Sequence, residues 1–387
     1  MLHLPTELIN EVAEWRRYLH RFPECGFNVT QTADFVAEKL ASWGLEVVRP
    51  IGQSGVVGIL RKGQGKASIG LRADMDALHI EEQNRFEHRS RHPGAMHACG
   101  HDGHTSMLLG AACYLSQGAS FNGTVYFIFQ PAEEHGKGAQ AMIDDGLFER
   151  FDIDAVYGLH NLPGYPAGHF AVRPGPLMAS ESSFEIRISA QGGHAAMPHT
   201  GTDPVVVAAQ IILGLQTIVS RSLNAIEETA VISVTELETD GTINVIPSEV
   251  VIKGDCRCFT EATLARIRQR MEQITEGLCL AAGVQGQATV INTFYPTINA
   301  EDATEHAVAA AREALGVEQV DPDCAPLMIS EDFAAMLRVK PGCYALLGNG
   351  TDSSGGCALH NPYYDFNDDI VHSGMAYWVS LVMQRLS

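Results

Sequence analysis

The stretch SIGLRADMD, residues 68–76, is an apolar run that ends in two acidic residues, Asp74 and Asp76. Apolar runs of similar length occur at 56–60, 124–129 and 155–159, where Gly, Asp or Pro bounds them and helical stretches such as 103–115 separate them. Short buried strands that alternate with helices are typical of an α/β domain with a largely buried sheet. The chain up to about residue 175 is therefore predicted to form such a domain.

The pattern changes after Pro174-Gly175-Pro176, which we interpret as a hinge. The segments that follow are an alternating strand, an apolar helix, two strand-like runs, a second helix and a last strand: Glu181–Ala190, Asp203–Ser222, Thr229–Leu237, Glu249–Phe259, Glu261–Ala282 and Gln287–Thr293. The order βαββαβ predicts a ferredoxin-like unit. Because α/β patterning resumes with a helix at 303–315, we expect an insertion at 178–295 between two parts of one catalytic domain, 1–177 and 296–387.

Composition excludes several classes of protein. The 387 residues include 26 Lys plus Arg and 46 Asp plus Glu, a formal net charge of −20 that repels nucleic acid and anionic membranes. We expect no transmembrane helix, because we find no run of about 18 apolar residues, and no signal peptide, because the first residues lack the basic-then-apolar order. The nine cysteines are scattered, which indicates reduced thiols and a cytoplasmic location.

Side chains that bind metals or move protons follow the predicted strands. They are Asp74 and Asp76, then Cys99 and His101 in MHACGHDGH (96–104), Glu133 and Glu134 in QPAEEHG (130–136), His160 in YGLHN (157–161) and, far along the chain, His360 in ALHNP (358–362). Ligands of α/β sheets collect at the carboxyl ends of the strands. Taken singly, these residues are equally typical of helix caps, turns, solvated glutamates and core histidines.

Taken together, the segments predict a two-metal hydrolase site, because a thiolate, imidazoles and carboxylates suit divalent cations and the paired glutamates supply both a ligand and a base. One alternative makes Cys99 a nucleophile activated by His101 or His104, but it leaves both glutamates, His160 and His360 unexplained. Another alternative is a metal-binding or assembly protein without catalysis, which predicts that a ligand or the base is missing.

The chain resembles the hippurate hydrolase and aminoacylase amidohydrolases, including the plant auxin-conjugate hydrolases, a branch of the two-metal carboxypeptidase and deacylase superfamily. The resemblance runs essentially end to end through LRADMDAL, MHACGHDGHT, QPAEEHGKGA, GLHN, GGHAAMPHTGTDP, GTINVIP, SEDF and LHNPYYDF. It implies an α/β, two-metal exopeptidase-like catalytic domain with an inserted ferredoxin-like lid or dimerisation domain. It also implies hydrolysis of the amide bond of N-acyl amino acids, with a dipeptidase- or carboxypeptidase-like peptidase as the alternative.

The resemblance also assigns roles to residues. It implies five metal ligands, Cys99, His101, Glu134, His160 and His360, with Cys99 bridging the ions. It further implies that Glu133 is the general base, that Asp76 orients a ligand, that His194 binds the transition-state oxygen, and that Asn244 and Arg257 bind substrate. The guanidinium of Arg257 suits a carboxylate; the alternative is an arginine on the strand surface that pairs with an acid.

We therefore expect two divalent cations in each subunit, chosen among zinc, manganese, nickel and cobalt. The expected partner is a small N-acyl amino acid, with no nucleic acid and no membrane. We also expect a homodimer or a higher homo-oligomer, because the apolar helix Val205–Val219 and the strand edges of the insertion leave surface to bury.

Overall fold

The computed structural model describes residues 4–352 and 355–387, which form two compact units. The first unit comprises the chain up to Leu177 together with Ile298–Ala325 and Asp332–Ser387. The second comprises Met178–Thr297 and the short segment Pro326–Glu331. The prediction placed the end of the insertion at 295 and did not include the segment 326–331.

The chain before the insertion alternates helices and strands. Its elements are α1 (Thr6–Arg21), α2 (Thr30–Ser42), β1 (Glu46–Ile51), β2 (Gly55–Lys62), β3 (Ser68–Asp74), α3 (His101–Ser116), β4 (Gly123–Gln130), α4 (Gly138–Asp144), α5 (Leu147–Arg150), β5 (Ala155–Pro163), β6 (Phe170–Ala171) and β7 (Gly175–Met178).

The insertion contains β8 (Glu181–Ser189), β9 (Gly193–His194), α6 (Pro204–Thr217), β10 (Ala230–Thr239), β11 (Val245–Ile246), β12 (Glu249–Cys258), α7 (Glu261–Ala282) and β13 (Gln285–Phe294). The last part of the chain contains β14 (Thr297–Asn299), α8 (Glu301–Leu315), β15 (Val320–Asp321), α9 (Ala334–Leu337), β16 (Gly342–Gly350) and α10 (Val371–Arg385).

The first unit is built on an eight-stranded sheet of order β1-β2-β4-β3-β5-β16-β6-β15. The four central strands β4, β3, β5 and β16 are parallel, whereas β1 and β2 run antiparallel at one side. Every residue of β3 and of β16 is buried, as expected for parallel strands that are covered on both faces. The predicted α/β class is confirmed, although the prediction did not identify β1, β16 or α10.

The second unit carries a four-stranded antiparallel sheet of order β10-β12-β8-β13. This order and the two helices α6 and α7 match the predicted ferredoxin-like unit. Side chains of β8 alternate between buried and more exposed positions, with Phe184, Ile186 and Ile188 in the core of this unit. The alternation arises because successive side chains of a strand point to opposite faces.

The apolar helix of the insertion has two features that the sequence analysis did not predict. After Thr217 it continues as a π-helical turn, Ile218–Ser222. Among the described residues, Pro204–Ser222 also has the length and the mean hydropathy, 1.5, of a helix that could cross a membrane, although Gln210, Gln216 and Arg221 interrupt its apolar run. The buried face of this helix, including Ile211 and Leu215, belongs to the core of the second unit.

Helix α3 lies against α1 and α10 and against strand β3 in the first unit. Fourteen of its residues are buried, including His101, Gly103 and His104. Gly103 faces the ring of Phe366: a Cβ atom at this position would lie 2.2 Å from Phe366 Cε2. The start of α3 is therefore packed too closely for a larger residue.

We predict that Gly103→Ala lowers the free energy of unfolding by about 1–3 kcal/mol, because an aromatic ring in a packed core cannot move aside without strain. The matched control is Gly277→Ala in α7, where an added Cβ meets nothing within 4 Å. There the same change should stabilise the helix by about 0.5–1 kcal/mol. Denaturant midpoints of the two metal-free variants measure both effects, and an equal shift of the same sign would contradict the packing argument.

Candidate metal centre

The candidate side chains meet at one edge of the large sheet because three neighbouring strands run parallel. Asp74 is the last residue of β3 and lies opposite Gln130, the last residue of β4. The amide of Met75 donates to the Gln130 carbonyl at 2.8 Å, which carries the pairing past the strand ends. His160 lies within β5 rather than at its end, as the sixth of nine residues.

The turn before α3 requires glycine. Gly100 has φ +88°, in the left-handed region, and a Cβ atom there would lie 2.2 Å from Asn161 Oδ1 and 2.6 Å from the Tyr364 hydroxyl. A side chain is therefore excluded both by backbone conformation and by space. This turn separates Cys99 from His101, which is the first residue of α3.

Hydrogen bonds orient the two buried histidines His101 and His160. Nδ1 of His101 lies 2.7 Å from the Asp76 carbonyl oxygen, and Nδ1 of His160 lies 2.6 Å from the Asn161 carbonyl oxygen. Since a carbonyl only accepts, each Nδ1 carries a hydrogen, so in the neutral imidazole Nε2 is the nitrogen with a lone pair for a metal. Nε2 of His160 lies 3.5 Å from Cys99 Sγ. Nε2 of His101 is fully buried without a hydrogen-bond partner in the described residues.

The two glutamates are held by Asp76, which is completely buried. Its carboxylate accepts from the Glu133 amide at 2.9 Å and from the Glu134 amide at 3.3 Å. Glu134 Oε1 lies 3.8 Å from His101 Nε2, and Glu134 Oε2 lies 3.5 Å from His360 Nε2. Within the described parts of the chain, Glu134 Oε1 is also buried without a hydrogen-bond partner.

Two residues of the cluster have backbone angles that are uncommon for side chains with a Cβ. Ala132, directly before Glu133, has φ +53°, and His360 has φ +62°. Such conformations cost roughly 1–3 kcal/mol each and persist where the surroundings impose them, often at functional sites. These backbone angles set the directions in which the side chains of Glu133, Glu134 and His360 point.

The cluster carries more negative than positive charge. Burial alone lowers the pKa of His101, but Asp74, Glu134 and Asp76 outweigh burial and raise it to about 10. Burial, with Asp76 and Asp74, raises the pKa of Glu134 to about 7 against the opposing effect of His101. Burial, followed by Glu134 and Glu133, raises the pKa of the Cys99 thiol well above its usual value. Each of these shifts reflects a site that favours added positive charge.

Burial lowers the pKa of His160 and of His360, and the nearby histidines lower them further. Neutral imidazole is the form that binds metals, so these side chains are in the state that a ligand needs.

Five sets of donor atoms in the described residues are close enough to share a cation, and two of them contain the Cys99 thiol. These two are Cys99 with His101 and His160, and Cys99 with Glu134 and His360; within each set the donor atoms lie within 4.8 Å of one another. Cys99 belongs to both, as a bridging ligand would. The unpartnered buried atoms of His101 and Glu134 fit the same interpretation, because buried polar atoms without partners are uncommon in proteins.

One further residue, His104, lies in the cluster without being a predicted metal ligand. His104 donates or accepts at both ring nitrogens, 2.6 Å from Asp74 Oδ1 and 2.8 Å from Asn161 Oδ1. Because both nitrogens are engaged, His104 supports the site rather than binding a metal.

The alternative of a Cys99 nucleophile is also disfavoured, since a raised thiol pKa leaves little thiolate to attack.

The predicted lid residues His194 and Asn244 belong to the second unit, and both are exposed. His194 pairs with Val245 between β9 and β11. The amide of Ala196 donates to His194 Nδ1 at 3.0 Å, so a neutral His194 carries its hydrogen on Nε2. This tautomer presents an N–H donor, which is the group needed to bind a developing negative oxygen.

Arg257 is already bound within the second unit. Its guanidinium donates to Glu181 at 2.7 Å, to Asp255 at 3.0 Å, and to Met328 O and Ser330 Oγ at 3.1 and 3.0 Å. This arrangement is the alternative stated above, an arginine on the strand surface that pairs with acids. A substrate carboxylate would have to displace one of these partners to reach it, so the structure favours the alternative over substrate binding.

A buried group of thiol, imidazole and carboxylate side chains at the carboxyl edge of a parallel sheet is typical of two-metal hydrolases. The chain belongs to peptidase family M20/M25/M40, whose profile matches residues 70–384. It is 38% identical over 380 residues to a hippurate hydrolase of Campylobacter jejuni, covering 98% of both chains. It is 37% identical over 357 residues to an N-acetyl-L-cysteine deacetylase of Bacillus subtilis, covering 92% of this chain and 83% of the relative.

Among solved structures, the Bacillus subtilis YXEP protein, a dinuclear metal-binding peptidase of the same family, has a TM-score of 0.84 and 30% identity, with 99% of each chain covered. The predicted family is thereby confirmed, and so is the predicted architecture of its catalytic domain.

We predict that a thiol reagent labels Cys99 more slowly in the metal-loaded protein than after chelation, because metal coordination shields a ligand thiolate. The Cys99 side chain is only 7% exposed, so the fully buried Cys343 is the control for general unfolding by the chelator. Peptide mass spectrometry after timed labelling gives both rates. Equal rates for Cys99 in the two states, with Cys343 unlabelled, would remove Cys99 from the ligand set.

Proposed function

We propose that this protein hydrolyses the amide bond of N-acyl amino acids and releases a carboxylic acid and a free amino acid, using two divalent cations. The observation that supports this most strongly is the pair of donor sets that share Cys99, with the Glu133 carboxylate adjoining them. Relatives that cover nearly the whole chain act on such amides by name, hippurate in one case and N-acetyl-L-cysteine in the other.

Five residues are proposed to hold the cations: Cys99, His101, Glu134, His160 and His360. Their mixture of sulfur, nitrogen and oxygen donors suits zinc, manganese, nickel or cobalt. When bound, two such cations lower the pKa of water toward about 7 and polarise the acyl carbonyl.

Glu133 is proposed as the general base. Its carboxylate is buried, and Oε2 lies 3.9 Å from His101 Nε2, next to the proposed ligands. Glu133 takes a proton from the attacking water as the new C–O bond forms, and it returns that proton to the nitrogen as the C–N bond breaks. Asp76 keeps Glu133 and Glu134 in place through their two backbone amides.

His194 and Asn244 are proposed to act on the substrate. The Nε2–H of neutral His194 donates to the carbonyl oxygen as negative charge develops on it. Asn244 directly precedes β11 of the same short strand pair and offers an amide side chain for the substrate.

A dipeptidase- or carboxypeptidase-like activity is the second candidate, because the family takes its name from peptidases. Both reactions cleave an amide next to an amino acid, and they differ in whether the acyl side carries an α-amino group. A homologue without catalysis is disfavoured, because every proposed ligand and the base are present in the structure.

The test is a panel of N-acyl amino acids and dipeptides, read out by amine release from metal-reconstituted protein. We expect turnover of N-acyl amino acids, loss of activity on chelation and recovery when metal is restored. We further predict that Glu133→Gln lowers kcat by at least about 10²-fold with unchanged metal content, because it removes proton transfer but keeps side-chain volume.

The adjacent variant Glu134→Gln serves as the control for that prediction. It removes a proposed ligand, so it should lower metal content as well as activity. Turnover close to wild type in a fully metallated Glu133→Gln protein would eliminate Glu133 as the base, and turnover of dipeptides alone would favour the peptidase.

We propose further that the protein is a cytoplasmic homodimer whose second unit forms the interface. Several apolar side chains of this unit are exposed, among them Val206 at 56% and Leu213 at 71% of their surface, both on α6. Two-fold pairing is the commonest way to cover such a surface. All nine cysteines are free thiols. Cysteines stay in this reduced state in a reducing compartment such as the cytoplasm.

In such a dimer, His194 is proposed to serve the active site of the neighbouring subunit. We predict that Glu133→Gln and His194→Ala, each inactive alone, regain activity when dissociated and reassociated together. About half of the dimers are then mixed and each has one intact site, so activity reaches about one quarter of wild type per subunit.

The control mixture pairs Glu133→Gln with Glu134→Gln, two changes on adjacent residues of one unit. No mixed dimer then contains an intact site, and no recovery is expected. If the first mixture also stays inactive while native mass spectrometry shows mixed dimers, His194 acts within its own chain.

A further inference from the structure

A buried ion pair lies directly behind the proposed base. Arg72 on β3 and Asp332, two residues before α9, are 1% and 4% exposed, and Arg72 Nη2 lies 3.1 Å from Asp332 Oδ1. Arg72 also donates to Gln130 at 2.8 Å and to Asp74 at 2.8 Å. A guanidinium buried to this extent needs such partners, because an unpaired charge in a protein interior is costly.

The Asp332 carboxylate is held from several sides. Gln130 Nε2 donates to Oδ1 at 2.6 Å, in addition to Arg72, and the amide of Ala139 at the start of α4 donates to Oδ2 at 2.9 Å. These donors come from the end of β4 and the start of α4, and Glu133 lies in the loop between those two elements. The side chain of Asp332 thus ties the segment around residue 332 to both ends of the loop that carries the base.

The backbone of Asp332 reaches the base itself. Its amide nitrogen lies 3.4 Å from Glu133 Oε1. A main-chain donor cannot rotate away, so its position depends on how firmly residue 332 is held. The other oxygen of the carboxylate, Oε2, is the one that lies 3.9 Å from His101 Nε2. The amide therefore contacts one oxygen and leaves the other directed towards the proposed ligands.

We propose that Asp332 and Arg72 are positioning residues for Glu133: the buried pair holds the Asp332 amide against one carboxylate oxygen, so that the other oxygen faces the attacking water. The inference rests on the proposed role of Glu133 as the base. Buried ion pairs contribute little to stability compared with apolar packing, which agrees with a role in orientation. A misplacement of about 1 Å at a reacting group costs as much as 10²-fold in rate.

The test is a double-mutant cycle between Asp332→Asn and Glu133→Gln in metal-reconstituted protein. Asp332→Asn keeps the backbone amide and the side-chain size but removes the charge that Arg72, Gln130 and Ala139 hold. We expect kcat to fall by about tenfold or more, with KM within about twofold of wild type and metal content unchanged. In the Glu133→Gln background, the same change should alter the residual kcat by less than about twofold, because the group that it positions no longer transfers protons.

The matched control is Asp144→Asn on α4, an exposed aspartate that accepts from Gln140; its kcat should stay within about twofold of wild type. Thermal unfolding of the metal-free variants shows whether Asp332→Asn is folded. If it is not, Arg72→Lys replaces it, since one ammonium keeps the charge but cannot serve Gln130, Asp74 and Asp332 together.

Each result of the cycle decides the proposal. A loss of equal size in both backgrounds, a loss of metal, or no loss at all would overturn the positioning role while leaving Glu133 as the base. Full activity of the single Glu133→Gln variant would instead overturn the base and the positioning role together. A loss that disappears in the Glu133→Gln background supports both.

Discussion

The complete burial of Asp76 is the constraint on which the rest of the centre depends. Its carboxylate accepts from the amides of Glu133 and Glu134, and its carbonyl oxygen accepts from His101 Nδ1. One residue just beyond β3 thereby fixes the loop after β4 and the tautomer at the start of α3. A buried carboxylate has to be satisfied in this way, since desolvation without hydrogen bonds is costly. The geometry of the base and of two ligands follows from that requirement.

The same burial explains the electrostatics of the cluster. Acids gathered at the carboxyl edge of the sheet raise the pKa of His101 to about 10, and burial together with Asp76 and Asp74 raises that of Glu134 to about 7. Each shift expresses the cost of negative charges that lie close together in a protein interior, and divalent cations relieve that cost. The proposed cation site and the shifted pKa values therefore both result from the burial of several acids at this edge of the sheet. His104 donates or accepts at Asp74, and Arg72 pairs with Asp332, so these buried carboxylates also have partners.

Sequence patterns were most informative where the residues of a single strand or helix determine its own structure. The alternation in β8 and the helix limits of α7 agree with the predicted ferredoxin-like unit, because period and capping are local properties. Patterns were least informative for Arg257. A guanidinium on a strand is equally suited to a substrate and to neighbouring acids, and only the fold brings Glu181, Asp255 and Ser330 around it. Strand β16 was missed, although it lies in the middle of the sheet beside β5.

The sequence by itself determined the family, the α/β class with its insertion and the residue types gathered for the site, because motifs such as MHACGHDGH and QPAEEHG carry that information in consecutive residues. Only the tertiary structure decided which atoms face one another: that Cys99 belongs to both donor sets, that His104 is fully engaged, and that the Asp332 amide meets Glu133. The Asp332 amide and Glu133 are 199 positions apart, and Cys99 and His360 are further apart still. These relations depend on strand order and side-chain packing, and neither leaves a local signal in the chain.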